Sequence, residues 1–204
     1  LVFRACLLRR NPYLEHWIWA GQITRSSGGD RRSKLRSNAV TIYLIRHATA
    51  GRRSFDSNDL ERPLDEYGRL QARDLIKLLA DRGITQIHSS PATRCMQTVS
   101  PLASAIGVDV HQAGPLLEGS SLARVLEFVR SFGQSDVALC SHGDLIPEVI
   151  RALEVGGTRI GTERGFAKGS VWELHFDGDG RIDSAVYAPV EPSIPLTEPA
   201  NARI

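Results

Sequence analysis

The sequence predicts an α/β protein, a three-layer α/β/α sandwich with a mostly parallel central sheet. Two observations carry this. From Val40 onward, short apolar β-branched runs alternate with longer segments of helical period, as in units whose helical crossovers lay parallel strands side by side. The largely apolar runs VTIYLIR and VALCS also read as buried strands. A chain of 204 residues at 42% hydrophobic has room for one well-buried core and too little for two.

The elements follow in order. VTIYLIR is a buried strand that opens into a polar loop around Gly51. In RPLDEYGRLQARDLIKLLADRG, Leu64, Leu70, Leu75, Leu78 and Leu79 share roughly one helical face, with Asp65 as N-cap and Gly83 closing the end. ITQIHSS is a second short strand. SPATRCMQTVSPLASAIG then opens a helix with Ser90 as N-cap and Pro91 at its first position. VDVHQ is a strand, SSLARVLEFVRSF an amphipathic helix, and VALCS a buried strand running into the helix HGDLIPEVIRALEVGG. KGSVWELHF and RIDSAVYAPV, joined by DGDG, form a closing hairpin. Four prolines from Pro189 to Pro199 predict an extended or disordered tail over 189–204.

Charge divides the chain unevenly. Residues 1–39 hold eight Lys/Arg against two Asp/Glu, and the remainder seventeen against twenty-one. Arg4, Arg9 and Arg10 interrupt the leader's apolar stretches, which argues against a secretory signal. The expectation is a disordered basic segment or an over-extended start of translation, with no part in the chemistry. No run of about 18 apolar residues occurs, so no membrane span is predicted. Cys6, Cys95 and Cys140 are odd in number and lack C-x-x-C spacing, as expected of reduced thiols in the cytoplasm.

In a parallel α/β sheet the binding crevice lies at the carboxyl ends of the strands. Three strands end there in cationic or potentially cationic residues: Arg46-His47 after the first, Arg94 just past the second, and His142 after VALCS. They can converge on one anion. Arg94 falls in the first turn of its helix, where the macrodipole disfavours a cation unless an anion is bound nearby. Ala48 and Gly143, each directly after a histidine, let a ligand approach the backbone. His16, His88, His111 and His175 have no such company and are read as surface or half-buried residues.

LIRHATAG, RPLDEYGRLQA, SSPATRCMQT and LCSHGD, in that order, resemble the successive motifs of the histidine phosphatase superfamily. Ala48, where many members have Gly, resembles the short branch that includes SixA-type phosphohistidine phosphatases. RPLDEYGRLQA, CSHGDLIPEVI and KGSVWEL are similar to the phosphatase domain fused to Nudix hydrolases in some bacteria. No Nudix signature is present, so such a partner is expected as a separate protein. The resemblance implies that residues 40–188 form the catalytic domain of a metal-independent, cofactor-free phosphatase. His47 would be the nucleophile, Arg46, Arg94 and His142 would hold the phosphate, and Glu118 would be the acid for the leaving group. Glu118 could instead be a dipole partner of the following helix, while Asp65 and Glu66 are more simply caps.

Thr49 and Arg52 are further candidates for the phosphate. The pair Arg52-Arg53 stands where phosphoglycerate mutases carry Asn, which argues against a mutase and suits a substrate with a second phosphate or a carboxylate. A solvated loop explains the pair equally well. Cys140 and Cys95 are followed six positions on by Ile146 and Pro101, which excludes a cysteine-phosphatase loop. Asp177 and Asp179 mimic an aspartate-nucleophile motif but sit in a hairpin turn. The expected partner is a phosphorylated small molecule or nucleotide, with a phosphohistidine protein as the alternative. A non-catalytic phosphate-binding module is the reading from another class, and neither nucleic acid nor membrane is expected as a partner.

Overall fold

In the structure, a computed structural model, residues 40–53, 58–133 and 135–190 are described. The basic leader, with Cys6 and His16, and most of the Pro-rich tail lie outside them. Seven strands and four helices follow the predicted alternation: β1 Thr41–Arg46, α1 Glu66–Leu79, β2 Gln86–Ser89, α2 Thr93–Ile106, β3 Val110–Gln112, α3 Leu122–Arg130, β4 Val137–Ser141, α4 Leu145–Val155, β5 Arg159–Ile160, β6 Val171–Phe176 and β7 Ile182–Ala188. One sheet holds all the strands, in the order β3-β2-β4-β1-β6-β7-β5. Only β6 runs against the rest, being antiparallel to both its neighbours β1 and β7.

Alternation along the central strands divides the core into two layers of side chains. Tyr43, Ile45, Ala138 and Cys140 face Leu75 and Leu79 of α1 and Val99 and Leu102 of α2. Ile42, Leu44, Val137 and Leu139 face Val125 and Val129 of α3 and Val149 and Leu153 of α4. This is the predicted three-layer sandwich. It explains why VTIYLIR and VALCS read as largely apolar runs: both faces of β1 and β4 are covered.

Local details differ from the sequence reading in three places. Asp65 caps α1 as expected, its Oδ1 accepting from Gly68 N–H at 2.7 Å, but the helix ends at Ala80, and Gly83 lies beyond it with φ +73°. Ser90 is not the cap of α2; Ala92 is, so Pro91 also precedes the helix. Ser90 instead prolongs β2, its N–H bonded to Cys140 O at 3.0 Å, and its hydroxyl oxygen accepts from Ala92 N–H at 3.3 Å and meets His142. The two-residue β5 was not foreseen, because two residues carry no periodicity. The DGDG segment is a hairpin turn, with Gly180 at φ +76°. Among the described residues, no helix is long and apolar enough to cross a membrane.

Candidate active site

Register places the site. Arg46 of β1 lies opposite Ser141 of β4, and Ser89 of β2 opposite Cys140, so the three strands end together. The ladder continues one step beyond them through His47 N–H to Ser141 O at 3.0 Å. His47, Ser90 and His142 therefore emerge side by side from one edge of the sheet. The ring centroids of His47 and His142 lie 5.4 Å apart, with the planes at 65°.

His47 is buried, with 6% of its surface exposed. Its Nδ1 lies 2.8 Å from the carbonyl oxygen of Ala48. A carbonyl only accepts, so Nδ1 carries the proton and Nε2 keeps its lone pair. Burial is the chief cause that pushes the ring's pKa down, to about 3, against the upward pull of the Ala48 carbonyl; the charges of His142, Arg94 and Arg46 add to the depression. At neutral pH the ring is uncharged and can act as a nucleophile.

Two guanidinium groups accompany it. Arg46 donates through Nη1 to Phe166 O and lies against Gly143, where an added Cβ would fall 2.5 Å from Nη2. Glycine lets the guanidinium sit this close to the backbone. Arg94, in the first turn of α2, is 1% exposed; its Nη1 donates to Asp59 O at 2.7 Å and its Nη2 to Glu118 Oε2 at 2.5 Å. Arg46 Nε and Arg94 Nε are buried and have no hydrogen-bond partner in the protein among the described residues. An N–H left unpaired in the interior is costly, and an oxyanion between the two arginines would satisfy both. His142 receives a hydrogen bond at Nδ1 from Arg94 Nη2 at 3.2 Å, while its Nε2 lies 2.8 Å from Ser90 Oγ. Cys95 supports the ring from beneath, its Sγ 3.5 Å from Nε2.

Glu118 follows a 3-10 turn, Gly114–Leu116, that leads away from β3. Its carboxylate reaches the pocket through Arg94 and lies 3.8 Å from His142 Nδ1. Ion pairs with Arg94 and Arg53 occupy it, and no bond to the start of α3 is involved. The remaining candidates lie further out. Thr49 gives its hydroxyl to Gln71 Oε1 at 2.9 Å, so a phosphate would have to compete for it. Arg52 is exposed and makes no ion pair among the described residues. Its neighbour Arg53 is the one that meets Glu118. His88 and His111 pair with each other across β2 and β3, and His175 with Thr41, all outside this cluster.

Several supporting residues escaped the sequence reading. Asp59 anchors Arg94, and Ser90 orients His142. Thr98 Oγ1 accepts from Ala48 N–H at 2.9 Å while donating to Arg94 O at 2.6 Å, tying the loop after His47 to α2. Gln71 joins Thr49 to Lys168 O. The i+4 spacing of Arg94 and Thr98 in TRCMQT was the one available signal. No group of three or more His, Cys, Asp or Glu that could hold a metal ion is found among the described residues.

Paired histidines and arginines at the carboxyl ends of parallel strands make a site suited to an anion. Residues 42–120 match the family model of the Histidine phosphatase superfamily (branch 1). It is 35% identical over 156 residues to an 8-oxo-(d)GTP phosphatase of Mycolicibacterium smegmatis, the match covering 72% of this chain and 47% of the relative. The chain thus spans about half the length of that protein. Among solved structures, a phosphohistidine phosphatase SixA from Agrobacterium tumefaciens superimposes with a TM-score of 0.57 at 24% identity, covering 69% of this chain and 94% of the other. A mycobacterial glucosyl-3-phosphoglycerate phosphatase gives 0.55 at 18% identity over 74% and 96%. At such identities these two speak for the fold alone.

Proposed function

We propose that the protein is a metal-independent phosphatase that hydrolyses a phosphorylated small molecule or nucleotide through a phosphohistidine at His47. The observation that carries this is the state of His47: a buried, uncharged ring with Nδ1 bound to a backbone carbonyl and Nε2 free beside two arginines with unpaired N–H groups. The Nε2 lone pair attacks phosphorus in line, an N–P bond forms, and the P–O bond to the leaving group breaks. Water then attacks phosphorus, the N–P electron pair returns to Nε2, and phosphate departs. Arg46, Arg94 and His142 hold the equatorial oxygens, supplying the positioning and charge that phosphoryl transfer requires. The family match and the name of the M. smegmatis relative support nucleotides as the first substrates to screen. The buried free thiols of Cys95 and Cys140 suit a reducing cytoplasm.

A second reading, a SixA-like protein phosphohistidine phosphatase, draws on Glu118. Glu118 is already engaged by two guanidinium groups, and a phosphoramidate leaving group is easily protonated without an acid from the protein. A non-catalytic phosphate-binding module is disfavoured, because His47, Arg94 and His142 are all in place. The test is a screen of nucleotides, phosphorylated metabolites and phosphohistidine peptides with chelator present, comparing the protein with His47→Ala. The variant is expected to lose turnover of every substrate found. Equal rates in the two proteins would overturn the mechanism.

A further inference from the structure

The pocket's outer rim carries a charge network in which Asp59, Arg53 and Arg62 have no part in the proposed mechanism. Asp59, in the 3-10 turn Asp59–Glu61, pairs with three guanidinium groups: Arg62 Nε at 2.9 Å, Arg53 Nε at 3.1 Å and Arg94 Nη1 at 3.1 Å. Its carboxyl is held below the ordinary range, chiefly by the hydrogen bond from Arg62. Glu118 pairs with two of the same groups, Oε2 with Arg94 and Oε1 with Arg53, the latter at 3.2 Å. Three arginines therefore share two carboxylates. Arg94 is the inner member at 1% exposure, and Arg53 the outer one at 64%.

Glu118 bridges these two arginines with the two oxygens of one carboxylate. The inner and outer guanidinium groups are thus spaced to take linked anionic groups. Two adjacent phosphoryl groups have that character, whereas two phosphates separated by a sugar ring would overshoot it. Arg53 can exchange partners without losing its place, since Nε donates to Asp59 Oδ1 at 3.1 Å while Nη2 is shared between Glu118 Oε1 at 3.2 Å and Asp59 Oδ2 at 3.5 Å.

Building on the phosphatase reading above, we propose that Arg53 is a specificity-determining residue that selects a terminal phosphoanhydride, of the nucleoside diphosphate type, by binding the phosphoryl group next to the one transferred. The reaction balances without an acid. His47 Nε2 bonds to the terminal phosphorus, the anhydride P–O bond breaks, and its electron pair stays on the oxygen of the departing phosphoryl group. That group has a second pKa of about 6 and can leave as an anion. Arg53 neutralises the charge that develops there. The occupied state of Glu118 then no longer conflicts with turnover, because no proton is asked of it.

The experiment uses the full chain, Arg53→Ala and Arg53→Lys, with ADP and p-nitrophenyl phosphate as probes. Both have good leaving groups, but only ADP carries an adjacent phosphoryl group. The ratio of kcat/KM for ADP to that for p-nitrophenyl phosphate is expected to fall at least ~10-fold in Arg53→Ala, the loss of one charge-assisted contact. Arg53→Lys should recover part of the ratio, since it keeps the charge without the fork. An unchanged ratio in Arg53→Ala would overturn the proposal. Calorimetric binding of pyrophosphate against inorganic phosphate tests the same contact without turnover. The full chain should bind pyrophosphate at least ~10-fold more tightly, and Arg53→Ala should lose that advantage; equal binding of the two anions by the full chain would refute it. Absence of turnover on every substrate alongside the expected binding would count against the phosphatase reading and leave the role of Arg53 standing.

Discussion

At His47, burial and hydrogen bonding act on one ring from opposite directions, and burial prevails. The linkage to stability has a definite sign. The folded pKa of about 3 lies below the ordinary 6.5, so the unfolded chain binds the proton more tightly. The stability associated with the neutral ring is complete above about pH 6.5 and is lost as pH falls toward 3, at ~1.4 kcal/mol per pH unit. Urea unfolding of the protein and His47→Asn between pH 4 and 7 should show a shallower acid loss in the variant; identical slopes would refute the assignment. Gly143 tests the neighbouring arginine. Its added Cβ would meet Arg46 Nη2, Cζ and Nε at 2.5–2.7 Å, so Gly143→Ala must displace the guanidinium from its present position. A fall in kcat/KM of about 10- to 100-fold is expected, as displacements near 1 Å can produce, with the thermal midpoint followed alongside to separate activity from folding.

Among the elements, α1 governs the loop after β1. Gly68 brings the first turn of the helix against the backbone of Thr49, where an added Cβ would lie 1.8 Å from the carbonyl oxygen. Asp65 N–H also donates to that oxygen, at 3.1 Å, and Gln71 accepts from Thr49 N–H. The stretch RPLDEYGRLQA is therefore a seat for the loop that follows His47 as much as a helix. Gly68→Ala sets two effects against each other. Alanine favours the helix by about 1 kcal/mol, but the clash is with backbone that cannot rotate away, and overpacking costs roughly 1–3 kcal/mol or more. Net destabilisation is expected, read as a lower denaturant midpoint; a rise in the midpoint would show that α1 can shift freely.

On the scale of the whole molecule, one sheet with a core on each face joins strands distant in sequence into a single described unit. Leu174 of β6 is fully buried in the layer packed by α3 and α4, away from the histidines. Leu174→Ala should cost ~2–5 kcal/mol, lowering the urea midpoint while leaving the slope of the transition unchanged. A changed slope would mean that the two layers unfold separately. The sequence by itself determined the alternation of strand and helix, the buried strands β1 and β4, and the placing of Arg46-His47, Arg94 and His142 at strand ends. Those features are written locally, in hydrophobic period and in the position of a residue within its own element. Only the tertiary structure decided that Phe166 and Gly143 frame Arg46, that Asp59 anchors Arg94, that Ser90 serves His142 instead of capping α2, and that Arg53, not Arg52, meets Glu118. Each of those pairings joins groups brought together by loops that cross the sheet edge, and no periodicity records which of two adjacent polar side chains turns inward.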